Sequence, residues 1–189
     1  MIKEVKGNEL FWAKGNDTVI IPTKEDENGG FDIYANFEEE YIIIEPHQTK
    51  LIPTNLACAF SEDYVMILKE RGSTGTKGMG QRCGIIDSGY RNLIFVPITN
   101  ENNVPIVIYK DNILTIIEIE SMLSLDERAV TTVGLDGIHT KCIKYPYSKA
   151  ICQALIVPVP KMNSQEISLE ELQVIPSKRG LGNLGSSGK

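Results

Sequence analysis

The sequence contains no apolar run approaching the roughly 18 residues needed to span a bilayer, and its N-terminal stretch has no signal-peptide pattern. Both absences point to a cytoplasmic protein with no membrane partner. Cysteine is sparse and scattered. Cys58, Cys83, Cys142 and Cys152 form no CxxC pair, so reduced thiols are expected in place of disulfides or a zinc site. Histidine is sparser still, with His47 and His139 standing apart as surface or loop residues rather than metal ligands. Positive charge is in deficit: 19 Lys and Arg against 25 Asp and Glu give a net charge of −6 and a pI near 5.0. Such a surface repels a nucleic-acid backbone. Any polyphosphate must be held by local cations such as Arg71, Lys77, Arg91 and Arg179, which favours a nucleotide-sized ligand over a polymer.

What the sequence does contain suits one domain with a real core: 189 residues, 42% of them hydrophobic and 23% charged. Alternating long amphipathic helices are missing, and short β-type runs dominate. They cover residues 18–21, 41–44, 56–60, 64–69, 93–98, 105–109, 113–119 and 154–159, mostly ending at Pro, Asn or acidic turns. This pattern predicts an all-β sandwich, jelly roll or barrel. Only residues 121–128 and 168–173 read as helical, the second through a Ser168-Leu169-Glu170-Glu171 capping box. Residues 25–30 read as a solvated turn without chemistry. There is no internal repeat, and residues 177–189 form a tail after a domain covering 1–176.

The tail holds four glycines, a Ser186-Ser187 pair and flanking cations, with almost nothing apolar to offset its ordering entropy. Glycines let successive N–H groups curl around an anion, hydroxyls add donors, and Arg179 offers a bidentate fork. The same chemistry recurs upstream in Glu70-Arg71-Gly72-Ser73-Thr74-Gly75-Thr76-Lys77-Gly78. It is followed by Gly84-Ile85-Ile86-Asp87-Ser88-Gly89-Tyr90, which sets a carboxylate and an aromatic ring three residues apart on a Gly-flanked turn. An aspartate in such a turn is common for structural reasons alone. A positioned carboxylate can also orient a water and accept its proton as that water attacks phosphorus.

Together with Gly30-Phe31-Asp32-Ile33-Tyr34-Ala35 and Gln153, these segments resemble the five ordered motifs of the homotrimeric dUTP pyrophosphatase (dUTPase) family. The resemblance implies an antiparallel β jelly roll, a homotrimer whose sites are completed by another subunit's C-terminal arm, and Mg²⁺-assisted hydrolysis of dUTP to dUMP and pyrophosphate. In such a protein Asp87 activates the water and touches the sugar 3′ hydroxyl. Tyr90 packs under the deoxyribose and rejects a 2′ hydroxyl. Gly84, Ile86 and Gln81 belong to the hairpin whose backbone reads uracil, with Gln81 where the family usually has asparagine. Asp32 organises the Arg71 side chain and the water shell of the metal. Arg71, Gly72 and Ser73 cradle phosphate, and the amide of Gln153 holds the α-phosphate or the attacking water. In the tail, Arg179 meets the γ-phosphate, Gly185, Ser186 and Ser187 wrap the phosphates, and Leu184 covers the base in place of a phenylalanine. The family's usual hydroxyl is missing at Gly72, and Ser73, Thr74 or the backbone N–H of Gly72 is expected to take its place. Loss of one oriented donor costs on the order of 3 kcal/mol of barrier lowering.

Two rivals remain at this point. A dCTP deaminase shares the motif series but needs a glutamate in the strand after the Asp motif, where this sequence has Pro97 and no acid between Asp87 and Glu101. A nucleotide-switched regulatory protein is the other. Its motivation is the 66-residue offset from Asp87 to Gln153, which is longer than in compact family members and implies an insertion over about 110–144. That insertion serves either as extra packing on the trimer or as a docking module for a protein partner.

Overall fold

The computed structural model describes residues 4–110, 130–134, 139–178 and Gly180. Thirteen strands and two short helices occur among them. The first eight strands are β1 (Leu10–Lys14), β2 (Phe31–Tyr34), β3 (Tyr41–Ile44), β4 (Thr49–Pro53), β5 (Leu56–Phe60), β6 (Tyr64–Lys69), β7 (Met79–Gln81) and β8 (Ile85–Ile86). The rest are β9 (Phe95–Asn100), β10 (Ile106–Tyr109), β11 (Val130–Gly134), β12 (His139–Pro146) and β13 (Ala150–Pro158). A single helical turn, α1 (Gly72–Gly75), follows β6, and α2 (Leu169–Gln173) lies near the C-terminus. The expected all-β class is the class observed.

The strands pair as β1-β5, β11-β12-β10-β3, β2-β13-β6-β8 and β4-β9-β7. Every pairing among them is antiparallel except β10 with β12. Alternation sets the faces: β5 reads buried, half-buried, buried, and β3 does the same with Ile42 and Ile44 inward. The inward residues meet in one core that includes Ile33, Ile44, Ile52, Met66, Leu68, Ile98, Ile106 and Ile108, each at most 1% exposed. Burial of each such side chain stabilises the fold by about 1.5–3 kcal/mol.

Two expectations change. Residues 18–21 are not a strand, because Asn16 Oδ1 accepts from both the backbone N–H and the hydroxyl of Thr18 and holds the chain in a turn. Val19 is nevertheless buried in the core. The strand expected at 93–98 starts at Phe95, since the preceding hairpin consumes Leu93: its N–H is taken by Asn92 Oδ1 and its carbonyl by the Tyr90 hydroxyl. The chain divides into two compact units, Met1–Val159 and Pro160–Lys189. In the second unit the anticipated capping box at α2 is present, with Ser168 Oγ accepting from the Glu171 N–H at 3.1 Å and the Ser168 N–H donating to Glu171 Oε2 at 2.7 Å. Met162, Leu169, Leu172, Val174 and Ile175 of that unit are all more than half exposed.

The anticipated strand at 113–119 and helix at 121–128 lie outside the described residues. So do Arg179, Leu184, Gly185, Ser186 and Ser187. No helix among the described residues is long and apolar enough to cross a membrane.

Candidate active site

Strand register creates the first half of the site. Across β2, β13 and β6, Asp32 stands opposite Gln153, which stands opposite Lys69. One residue past Lys69 the chain leaves the sheet, and Arg71 begins the loop. The result is a pocket of about 380 Å³ lined by Asn28, Gly29, Gly30, Asp32, Arg71, Gly72, Ser73 and Gln153. Six of these residues, Gly30 included, lie in the quoted motifs; Asn28 and Gly29 do not. The turn read as chemically silent is therefore a wall of the pocket. Gly30 is needed there, because a Cβ would sit 3.1 Å from the Ala154 carbonyl and 3.2 Å from the Gln153 side chain.

Arg71 is aimed by its neighbours. Its Nε lies 2.9 Å from Asp32 Oδ1, and its Nη1 donates to the Ala150 carbonyl at 3.4 Å. Both partners of the ion pair are about one-third exposed, so its worth is orientation more than stability. Thr74 is fully buried, and its hydroxyl accepts from the Arg71 N–H and donates to the Arg71 carbonyl. That corrects one expectation: the Thr74 hydroxyl is committed to the turn and cannot stand in for the one missing at Gly72. Ser73 lines the pocket and remains the candidate.

Glu70 is a residue that motif reading missed. Its carbonyl accepts from Gln153 Nε2 at 2.9 Å, Oε1 accepts from the Gln81 N–H at 2.8 Å, and Oε2 pairs with Lys69 at 3.0 Å. Burial acts to raise its pKa, but the Gln81 hydrogen bond and Lys69 outweigh it, so the carboxyl sits below its ordinary range and stays ionised. Behind the pocket, Cys152 is fully buried. Burial pushes its thiol far up, Asp32 and Glu70 add to the effect, and Arg71 opposes it, leaving the group protonated.

The second half is apolar. A pocket of about 230 Å³ is lined by Ile85, Ile86, Asp87, Tyr90, Ile94 and Phe95. Gly84 brings this hairpin against β6: its carbonyl accepts from the Leu68 N–H at 2.7 Å, and a Cβ there would lie 2.3 Å from the Leu68 carbonyl. The Tyr90 N–H closes the turn on the Asp87 carbonyl at 3.0 Å, and the Tyr90 hydroxyl donates to the Leu93 carbonyl at 2.9 Å. Arg91 donates to the carbonyls of Ser88 and Tyr90, so it braces the hairpin. The Asp87 carboxylate is exposed on the pocket rim. Gln81 lines neither pocket, its amide donating to the Arg82 and Pro97 carbonyls.

No residue lines both pockets. Ile86 pairs with Met66 in antiparallel register, so Asp87 continues toward the start of β6 while Arg71 lies five residues beyond Met66 at the other end. At the rise of an extended strand this separation is about 16 Å or more.

Among the described residues no group of three or more His, Cys, Asp and Glu could hold a metal. Asp32, with one oxygen on Arg71, suits contact with a hydrated cation through water. Such a donor set fits Mg²⁺, which binds through few carboxylates together with substrate phosphates.

The dUTPase family model matches residues 16–121, more than half of the sequence. This chain belongs to the dUTPase family. The matched span takes in Asp32, the Arg71 loop and the Asp87 hairpin. The chain is 28% identical over 180 residues to the deoxyuridine 5′-triphosphate nucleotidohydrolase of Nautilia profundicola, covering 93% of this chain and 96% of that one. It is also 33% identical over 101 residues to the Pol polyprotein of Caprine arthritis encephalitis virus, where the match covers 53% of this chain and only 9% of the polyprotein. Among solved structures it is similar to a Staphylococcus bacteriophage 80alpha dUTPase mutant in complex with dUpNHpp, with a TM-score of 0.70, 22% identity, and coverage of 97% of this chain and 100% of that one. That likeness establishes the dUTPase fold over nearly the whole chain.

Proposed function

We propose that this chain hydrolyses dUTP to dUMP and pyrophosphate, as a homotrimer, at sites each built from two copies of the chain. The observation that carries the reading is the division of the site by β6: an apolar pocket with a carboxylate on its rim at one end, and a polar pocket with Arg71 and a glycine loop at the other. The α-phosphate of one substrate must meet both. A heterologous contact that closes after three copies brings one copy's Asp87 to the next copy's Arg71.

In this reading Ile85, Ile86 and Phe95 cover the base, and the Asp87–Tyr90 turn receives the sugar. The Tyr90 hydroxyl is committed to the Leu93 carbonyl, so the ring offers no polar partner to a 2′ hydroxyl. Asp87 orients a water and takes its proton as the water attacks the α-phosphorus. Arg71, the Gly72 N–H, Ser73 and Gln153 bind the phosphate oxygens. The glutamine is aimed by its bond to the Glu70 carbonyl. Arg179 and residues 184–187 close over the triphosphate from a C-terminal arm. The exposed apolar side chains of the 160–175 segment support an arm that docks on another copy. Asp32 would hold a hydrated Mg²⁺ through water beside the phosphates, and the ion would supply charge neutralisation there. Among the described residues β11 stands at the end of its sheet, and a strand in that place suits a protein partner that adds to it.

The test is incubation with dUTP, dCTP or UTP and Mg²⁺, with products separated by ion exchange. The expected result is dUMP and pyrophosphate from dUTP alone, falling about 10³-fold in Asp87→Asn. Conversion of dCTP to dUTP would establish the deaminase reading instead, and no turnover of any of the three would overturn the hydrolytic one.

A further inference from the structure

Tyr145 lies in the strand that returns from the insertion, and no motif includes it. It is fully buried, the largest side chain in the core to be so. Its register neighbour on β10 is Ile108, and an aliphatic residue would fill the same space without bringing a hydroxyl out of water. The hydroxyl donates to the Ala150 carbonyl at 2.5 Å. That carbonyl sits where the β13–β2 register slips by one residue between Ala150 and Cys152, so a bulge takes it out of the regular ladder. Arg71 Nη1 reaches the same oxygen at 3.4 Å. Burial raises the Tyr145 pKa, while the nearby Ser73 and Arg71 side chains act against the rise. The phenol therefore holds the bulged carbonyl that Arg71 also uses, and it lies near enough to the arginine and the loop serine to feel both.

We propose that the Tyr145 hydroxyl is a positioning residue for phosphate binding, holding Arg71 and Ser73 in the orientation in which they face the substrate. The inference rests on the assignment of the polar pocket to the triphosphate. Its rival is a purely structural hydroxyl that only satisfies the bulged carbonyl.

The test compares the full-length chain with Tyr145→Phe, which keeps the ring and its packing. Turnover of dUTP by the unmodified chain is measured first. Binding of α,β-imido-dUTP and of deoxyuridine, which has no phosphate, is then measured for both. The expected result is a rise of about fivefold in KM for dUTP and in Kd for the imido analogue, with deoxyuridine binding unchanged. Equal weakening for both ligands, or a lower melting temperature with unchanged analogue affinity, would overturn the proposal. If the unmodified chain does not hydrolyse dUTP, the functional reading fails by itself, and inorganic tripolyphosphate binding decides this proposal through the same fold-change. Should Tyr145→Phe not fold, fluorotyrosine at position 145 retains the hydroxyl while weakening it as an acceptor. It must then raise the analogue Kd, and an unchanged Kd sinks the idea.

Discussion

The two ends of β6 are built in different ways. At the Arg71 end nearly every polar group has a partner: Asp32 on Arg71, Gln153 on the Glu70 carbonyl, the Gln81 N–H on the Glu70 carboxylate, and Thr74 on the Arg71 backbone. At the Asp87 end the backbone of the hairpin is fixed, while the carboxylate and the rings of Tyr90 and Phe95 face solvent. The first arrangement suits a ligand whose charge must be met by donors already in place, where preorganisation is worth most. The second suits a surface waiting for apolar cover. A polar half can be complete within one chain, whereas an apolar half at 39–59% side-chain exposure, as for Tyr90, Phe95 and Ile85, is finished only when something sits on it.

The sharpest way to break this comparison is to separate the halves genetically. Asp87→Asn and Arg71→Ala should each be inactive alone. Unfolded and refolded together, they should regain about a quarter of wild-type activity, because random pairing leaves that share of sites with both native halves. A mixture as dead as its components would mean that both residues serve one chain. Next in size is Gly84→Ala, which drives a Cβ into the Leu68 carbonyl and should cost about 2–3 kcal/mol. Thermal melting reads the loss, and kinetics on the surviving fold should show the apolar half more affected than tripolyphosphate binding. The mildest change is Gly72→Ser. A Cβ there meets nothing within 4 Å, so the fold should be indifferent. The added hydroxyl should raise kcat/KM for dUTP by a few fold if it reaches the phosphate. No gain would show that the Gly72 N–H and Ser73 already fill the role.

Much of the strand pattern was legible because alternation is local: 41–44, 56–60 and 64–69 are strands at those same bounds. The failure at 18–21 is also local in cause, yet hidden, since β-branched residues there were outvoted by the Asn16 side chain. The grouping of Asp32, Arg71, Gly72, Ser73 and Gln153 in one pocket could be anticipated from motif order. Asn28 and Gly29 could not, because only the β2–β13 register brings that turn to Gln153. Glu70 escaped for a similar reason: half of its contribution comes from a backbone carbonyl, which leaves no mark on residue type. Tyr145 fell in no expected strand and no motif, and nothing in its neighbours reveals the bulge its hydroxyl serves.

The parallel pairing of β10 with β12 has a consequence for how the chain tolerates change. A chain leaving Tyr109 must travel back along the whole strand before it can enter β12, so some connection of a dozen residues or more is obligatory there. Length can be added to such a crossover without shifting any register, which makes it a natural growth point for the family's variation. It cannot be erased as freely. A deletion of residues 112–143 would also remove Cys142 and Ile143, both buried, and with Ile143 the partner of Ile106. Shortening confined to 111–129 spares both pairings of β12, and it is the form of truncation in which a lost function can be told apart from a lost fold.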